Sequence, residues 1–244
     1  MSFAASEWEF RARFWFIFGL FFAGFQLYFV DHVNVCAAAA KWIYRHQGGA
    51  SAQVDHLITV LFWVGTAVTA LAALVRTWAG AYLRSSVIHD AALHGEQLVA
   101  DGPYRHVRNP LYQGNMLLAA GVGVLASRAG FVVLVAGMLI IVYRLILREE
   151  VTLLASQGEA YRRYYNAVPR LWPSLMPRVP ASGAKADWAD GFTGELFMWS
   201  AAAAMAVFAA TLKIQYFWVT FGTGMAIYFL QGWMRGRAKN AAAS

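Results

Sequence analysis

The sequence predicts an all-α fold, a polytopic membrane helix bundle of about six transmembrane helices with both termini cytoplasmic. Three observations lead there. Hydrophobic residues make up 59% of the chain, where soluble domains hold roughly 45–50%. The apolar residues gather in six stretches of span length. The basic residues then alternate from side to side across those stretches. Charged residues reach only 14%, so neither an ordinary soluble enzyme nor a disordered chain fits.

The stretches run Phe14–Val30, Leu57–Val75, Leu111–Ala126, Phe131–Leu147, Leu196–Leu212 and Ile214–Leu230. At 1.5 Å per helical residue each is about 24–29 Å long, close to the roughly 30 Å hydrocarbon core. Only Ser127–Gly130 separates the third from the fourth, and little more than Lys213 separates the last two. Both pairs therefore predict tight helical hairpins. Phe3–Phe10, with Trp8, predicts an interfacial piece. Asp31–His56 is the longest outer segment and has room for a short interfacial helix. Residues 11–40 have the outline of a signal peptide, but the run is long and aromatic, which favours a retained span.

Across this alternation sixteen Lys and Arg fall on one side and four (Lys41, Arg45, Arg128 and Lys213) on the other. An excess of this kind marks the cytoplasmic face. The net charge of +7 therefore predicts basic cytoplasmic loops, not a nucleic-acid partner. Cys36 is the single cysteine, and no HxxxH or HExxH pattern occurs, so neither a disulfide nor a metal is expected. The domains expected are a four-span core over 1–177, a linker over 178–194 rich in small and polar residues, and a terminal hairpin with a basic tail over 195–244.

Polar chemistry concentrates in two cytoplasmic segments, Leu93–Gly123 and Arg144–Pro173. Asp101-Gly102-Pro103-Tyr104 is a turn signal. Pro110 suits the first position of a helix and Asn109 its N-cap, which places free amide donors beside Arg108. Gly114 and Gly121 share a helix face, suited to close helix packing or to a flat ligand. Glu149-Glu150 follows an apolar stretch directly, where carboxylates are unfavourable unless neutralised. Arg144 and Arg148 are near enough in sequence to do so. Tyr161 and Tyr164 lie on one face of a basic aromatic helix that Val168-Pro169 ends.

These pieces, in this order, resemble the integral-membrane methyltransferases that include isoprenylcysteine carboxyl methyltransferases and phospholipid methyltransferases. The carrying motifs are Gly102-Pro103-Tyr104, then Arg108-Asn109-Pro110-Leu111-Tyr112-Gln113-Gly114, Gly121-Val122-Gly123 and Glu149-Glu150. Gly158 through Tyr161 and Tyr164 to Val168-Pro169 completes the set. The resemblance implies S-adenosylmethionine as cofactor and a membrane lipid or lipophilic small molecule as methyl acceptor. The site would face the cytoplasm, in a bacterial inner membrane or an endoplasmic-reticulum type of membrane. It implies that Tyr104, Arg108, Asn109, Pro110, Tyr112, Gly121, Gly123, Glu149 and Glu150 line or shape the cofactor pocket. Leu98 and Val99 would offer backbone groups to it. Arg144, Tyr161, Tyr164 and Arg170 would meet the acceptor, with Glu150, Arg144 and Tyr164 the candidates for catalysis.

Two departures weaken a prenylcysteine substrate: Asn109 and Glu96 stand where those enzymes usually carry His. The hairpin Leu196–Leu230 extends past the point where many members end, and it predicts either a lid on the lipid-side entrance or a homodimer contact. A sterol-type membrane reductase using NADPH would show an Arg-Asp pair and a Lys-Tyr-Gly-x-x-Trp stretch; Arg148-Glu149-Glu150 and Ser156-Gln157-Gly158 do not match. A non-enzymatic bundle or transporter would carry charges inside its spans, and the first, second, fifth and sixth stretches hold almost none.

Overall fold

The structure, a computed structural model, describes residues 3–45, 51–90 and 100–243. Leu98 and Val99, expected at the cofactor pocket, lie outside the described residues, as does Glu96. Within them the regular elements are helices, with a single antiparallel bridge between Asn34 and Ser127. The helices are α1 Glu7–Arg11, α2 Arg13–Gln26, α3 Val35–Tyr44, α4 Ser51–Asp90, α5 Pro110–Gly123, α6 Arg128–Ala167, α7 Trp188–Gly194, α8 Leu196–Thr211 and α9 Ile214–Ala243. All six apolar stretches fall mainly on helix. Among the described residues two helices, α4 and α6, are long and apolar enough to cross a membrane, or three if α7 and α8, bent by 64°, count as one broken span.

The spine is α4. It packs against α5, α7 and α8, while α2 lies along α6. The α4–α5 contact is close because Gly121 presents no side chain there: a Cβ would lie 2.3 Å from the Thr69 hydroxyl oxygen and 2.9 Å from the Gly65 carbonyl. At one end Asn34 caps α3, accepting from Cys36 and Ala37 N–H, and its amide donates to the carbonyls of Val124 and Ala126. At the other end Ser6 and Glu9 cap α1 reciprocally, a capping box. Gly158 breaks α6 with φ of 56°, a left-handed conformation that glycine adopts without steric penalty. The last helical turns, carrying Tyr161 and Tyr164, thereby fold back onto the body of the protein, where both tyrosines are buried.

The terminal hairpin is part of the core. Met198, Ala201, Met205 and Phe217 are buried in one cluster with Ala72, Ala73 and Leu118. The 178–194 segment is also pinned. Asp101 accepts from Ser182 N–H and hydroxyl and from Ala184 N–H at 2.6–3.0 Å. Gly191 of α7 lies against Thr77 and Ala81 of α4.

Candidate active site

Two turns meet at one end of the bundle. The first leads into α5 and carries Tyr104, Arg108, Asn109 and Pro110. The second leaves α6 and carries Val168, Pro169 and Arg170. The backbone joins them: Arg108 N–H donates to Pro169 O at 2.9 Å. Pro110 opens α5, but Asn109 does not cap it. Its side-chain amide donates instead to Arg170 O at 3.1 Å, so the residue expected as a cap serves as a tie between the two turns.

Glu150 sits at the crossing. It is 3% exposed and neutralised from two sides. Arg108 Nη2 lies 2.9 Å from Oε1, and Arg170 Nη2 lies 2.8 Å from Oε2. Arg170 also donates to the hydroxyls of Tyr143 and Tyr165. Arg108 lies over the Tyr165 ring and donates to the Tyr165 carbonyl. Burying two guanidiniums and one carboxylate is tolerable only because nearly every donor is answered.

Sequence proximity suggested Arg144 and Arg148 as the neutralising partners. The structure corrects this. Arg144 directs Nη2 to both Glu9 oxygens at 2.8 Å, and Arg148 reaches Ala5 O and Glu7. Both arginines fasten the N-terminal segment to α6. Arg144, expected at the acceptor, does not line the cavity described below. The physical reason is helical geometry: the face carrying Arg144 meets α1, while Glu150 faces the two turns.

Glu149 points another way. It accepts from the Tyr112 hydroxyl at 2.8 Å and borders a large cavity of about 1670 Å³. At its polar end the walls are Arg76, Tyr104, Arg108, Asn109, Pro110, Tyr112, Asn115, Glu149, Tyr161, Tyr164 and Glu195. Two atoms there, the Tyr104 hydroxyl and Arg108 Nε, are buried with no hydrogen-bond partner among the described residues. Burial pushes the Tyr104 hydroxyl's pKa upward, which keeps it a neutral donor. Tyr164 donates to Tyr104 O at 2.9 Å and so fixes the turn.

From this end the cavity continues as an apolar slot between α2, lined by Phe14, Phe18, Phe21, Phe22 and Phe25, and the terminal hairpin, lined by Phe197, Phe208, Phe217 and Phe221. On α4 the lining runs from Phe62 to Leu83, about 31 Å at 1.5 Å per residue. The cavity is therefore as deep as a hydrocarbon core.

Of the residues expected at the cofactor, Tyr104, Arg108, Asn109, Pro110, Tyr112 and Glu149 border this hollow, with Glu150 directly behind. Gly121 and Gly123 do not border it; they pack against Thr69 and Phe131. Tyr161 and Tyr164 border it, and Arg170 is held on Glu150. Sequence reasoning missed Arg76, Asn115 and Glu195. Arg76 makes a two-point ion pair with Glu195 (Nε–Oε2 2.6 Å, Nη2–Oε1 3.0 Å) and donates through Nη1 to Asn115 Oδ1 and Leu111 O. The available signal was one unpaired charge at the inner edge of each of two apolar stretches.

Residues 59–158 match the family model described as phospholipid methyltransferase. The cobalt-zinc-cadmium resistance protein CzcN of Cupriavidus metallidurans is 26% identical over 146 residues, 60% of this chain and 63% of that protein. The match thus spans less than two thirds of that relative's length. No solved structure matches the chain. Over residues 59–158, which carry the arginine–proline corner and both glutamates, the chain is thus similar to the phospholipid methyltransferase family.

Proposed function

We propose that this protein transfers a methyl group from S-adenosylmethionine to a lipophilic acceptor at the cytoplasmic face of a membrane. The acceptor's reacting group would be a carboxylate, a phospholipid amine or a thiol. The polytopic reading belongs to the same proposal, with six crossings, both termini cytoplasmic and the polar end of the cavity at the inner leaflet. The observation that carries it is the cavity itself. One hollow, as deep from end to end as a bilayer core, joins a polar chamber bordered by Arg108 and Glu149 to an apolar slot. A reaction between a polar nucleotide and a membrane-dissolved acceptor needs both parts in contact.

The residues present fit the cofactor. The unpartnered Tyr104 hydroxyl and Arg108 Nε are donors awaiting an acceptor, and leaving them unmet is unfavourable. Glu149, with one oxygen engaged by Tyr112, has capacity left for ribose hydroxyls or an amino group. Arg108 would meet the cofactor carboxylate. When bound, S-adenosylmethionine supplies a methyl on a positively charged sulfur, which is a good leaving group. The protein's task is then mainly alignment of the acceptor lone pair with that methyl. The locked Glu150–Arg108–Arg170 set gives the chamber a rigid wall for it, and the phenylalanine-lined slot keeps water from the reacting end.

The test uses the purified chain in lipid nanodiscs. Calorimetry should show S-adenosylhomocysteine binding, and labelled S-adenosylmethionine should mark a component of a membrane lipid extract. A chain that binds no S-adenosylhomocysteine refutes the proposal.

A further inference from the structure

The hairpin's contribution to the hollow is charged as well as apolar. Glu195 stands at the bend between α7 and α8, and Arg76 reaches it from α4. Their side chains are only 12% and 20% exposed, and both border the cavity. The pair also touches α5 at Leu111 and Asn115. Asn115 lies six residues beyond Asn109, about 9 Å farther along the helix. The pair therefore sits between the polar chamber and the apolar slot. The Tyr104 hydroxyl is within electrostatic reach of Arg76, Glu149 and Glu195, so the two polar groups share one space.

A clamp for the hairpin alone would not need this position. Trp199 already donates to Thr77 at 3.0 Å, and Gly191 already seats α7 on α4. A buried ion pair is weak as a source of stability against an apolar contact of the same volume. Glu195, by contrast, borders the cavity, and its carboxylate keeps acceptor capacity beyond the two bonds from Arg76.

Resting on the methyl-transfer reading above, we propose that Glu195, oriented by Arg76, holds the reacting end of the acceptor, and that this end is an X–H donor (hydroxyl, thiol or unprotonated amine) and not a carboxylate. An acceptor carboxylate arriving from the slot would face Glu195 and Glu149, while the guanidinium nearest the slot is already neutralised. An X–H group donates to Glu195 and leaves its lone pair free; as that pair bonds to the methyl, the sulfur–methyl bond breaks, neutral S-adenosylhomocysteine leaves, and the X–H proton passes to the Glu195 carboxylate it was bonded to. The terminal hairpin thereby supplies a specificity-determining residue from outside the segment that matches the family.

The experiment uses the full chain in nanodiscs with labelled S-adenosylmethionine and a membrane lipid extract, and the product is treated with alkali. Methyl esters release methanol under these conditions; methylated hydroxyls, thiols and amines do not. The expected product is alkali-stable. Glu195→Gln should raise the acceptor KM about tenfold or more, as for loss of a charged hydrogen-bond acceptor. The Kd for S-adenosylhomocysteine should stay within about twofold. Glu195→Asp keeps the charge and the pair with Arg76 but withdraws the carboxylate, so it should fold normally and still raise the acceptor KM. An alkali-labile product overturns the inference, as does an unchanged acceptor KM in both variants. Equal loss of cofactor and acceptor binding also overturns it, because the pair is then structural. Each of these results leaves cofactor binding by the wild-type chain intact, whereas its absence refutes the parent reading instead.

Discussion

The two adjacent glutamates should give opposite results when each is changed to glutamine. Glu150 is enclosed, with side-chain exposure of 4%, and answers Arg108 and Arg170, whose side chains are 6% and 24% exposed. Removing its charge leaves two guanidiniums without a counter-ion. Breaking a buried pair from one side is worth about 3–5 kcal/mol. Glutamine retains one carbonyl oxygen as acceptor, so the lower half of that range applies, about 3 kcal/mol. Glu149 has a different position. It makes one hydrogen bond, from Tyr112, that a glutamine oxygen can still accept, so stability should change by about 1 kcal/mol or less. Its free oxygen borders the cavity, and there the loss should appear in ligand affinity. Thermal unfolding in detergent, with calorimetry of S-adenosylhomocysteine on the same samples, separates the two effects. Glu150→Gln should unfold well below the wild type, and Glu149→Gln near it but with cofactor affinity reduced about tenfold or more. If Glu150→Gln unfolds at the wild-type temperature while Glu149→Gln is strongly destabilised, the assignment of one carboxylate to the wall and the other to the hollow is wrong.

Three further outcomes follow from the packing. Gly121→Val places methyls where the Thr69 hydroxyl and Gly65 carbonyl already stand; forcing α4 and α5 apart should destabilise by about 1–3 kcal/mol, read as a lower unfolding temperature and faster proteolysis. Arg144→Ala should loosen the N-terminal segment, with a stability loss of about 1 kcal/mol or less for a half-buried pair. Its S-adenosylhomocysteine affinity should hold, and a loss of affinity would return Arg144 to the site. Asp101 bears on pH. Burial pushes its carboxyl up, but hydrogen bonds from Ser182 and Ala184, with Arg105 nearby, outweigh this and hold it below its ordinary 3.8. A lowered carboxyl stabilises the fold above its unfolded value, and that stabilisation disappears as pH falls through the folded value. Thermal unfolding followed from neutral pH down past 3.8 should show the decline, and Asp101→Asn should flatten it.

How much could be read in advance differs from feature to feature. The corner Arg108-Asn109-Pro110 was legible because proline restricts the backbone locally, whatever surrounds it. The end of α6 at Val168 was legible for the same reason, since the residue before Pro169 avoids helical angles. The partners of Glu150 were not. Arg144 and Arg148 are close in sequence, yet Arg108 and Arg170 arrive from 42 residues upstream and 20 downstream. Ion pairs between turns depend on where whole helices settle, and no local pattern encodes that. Gly121 was open to two readings, as a packing surface or as a bed for a ligand. Only the arrival of Thr69 from α4 decided for packing.

By itself, then, the sequence determined what is set by local chemistry: apolar stretches long enough to be helices, basic flanks, prolines that stop and start them, and an ordered set of motifs that resembles a family of membrane methyltransferases, whose model matches residues 59–158. The tertiary structure alone decided which carboxylate is locked and which is free. It also showed that the terminal hairpin belongs to the core, and that Arg76, Asn115 and Glu195 share a hollow with the motif residues. The physical reason is range. Backbone preference and burial act within a few residues, whereas a cavity is the space that distant helices fail to fill, and its walls exist only once they have packed.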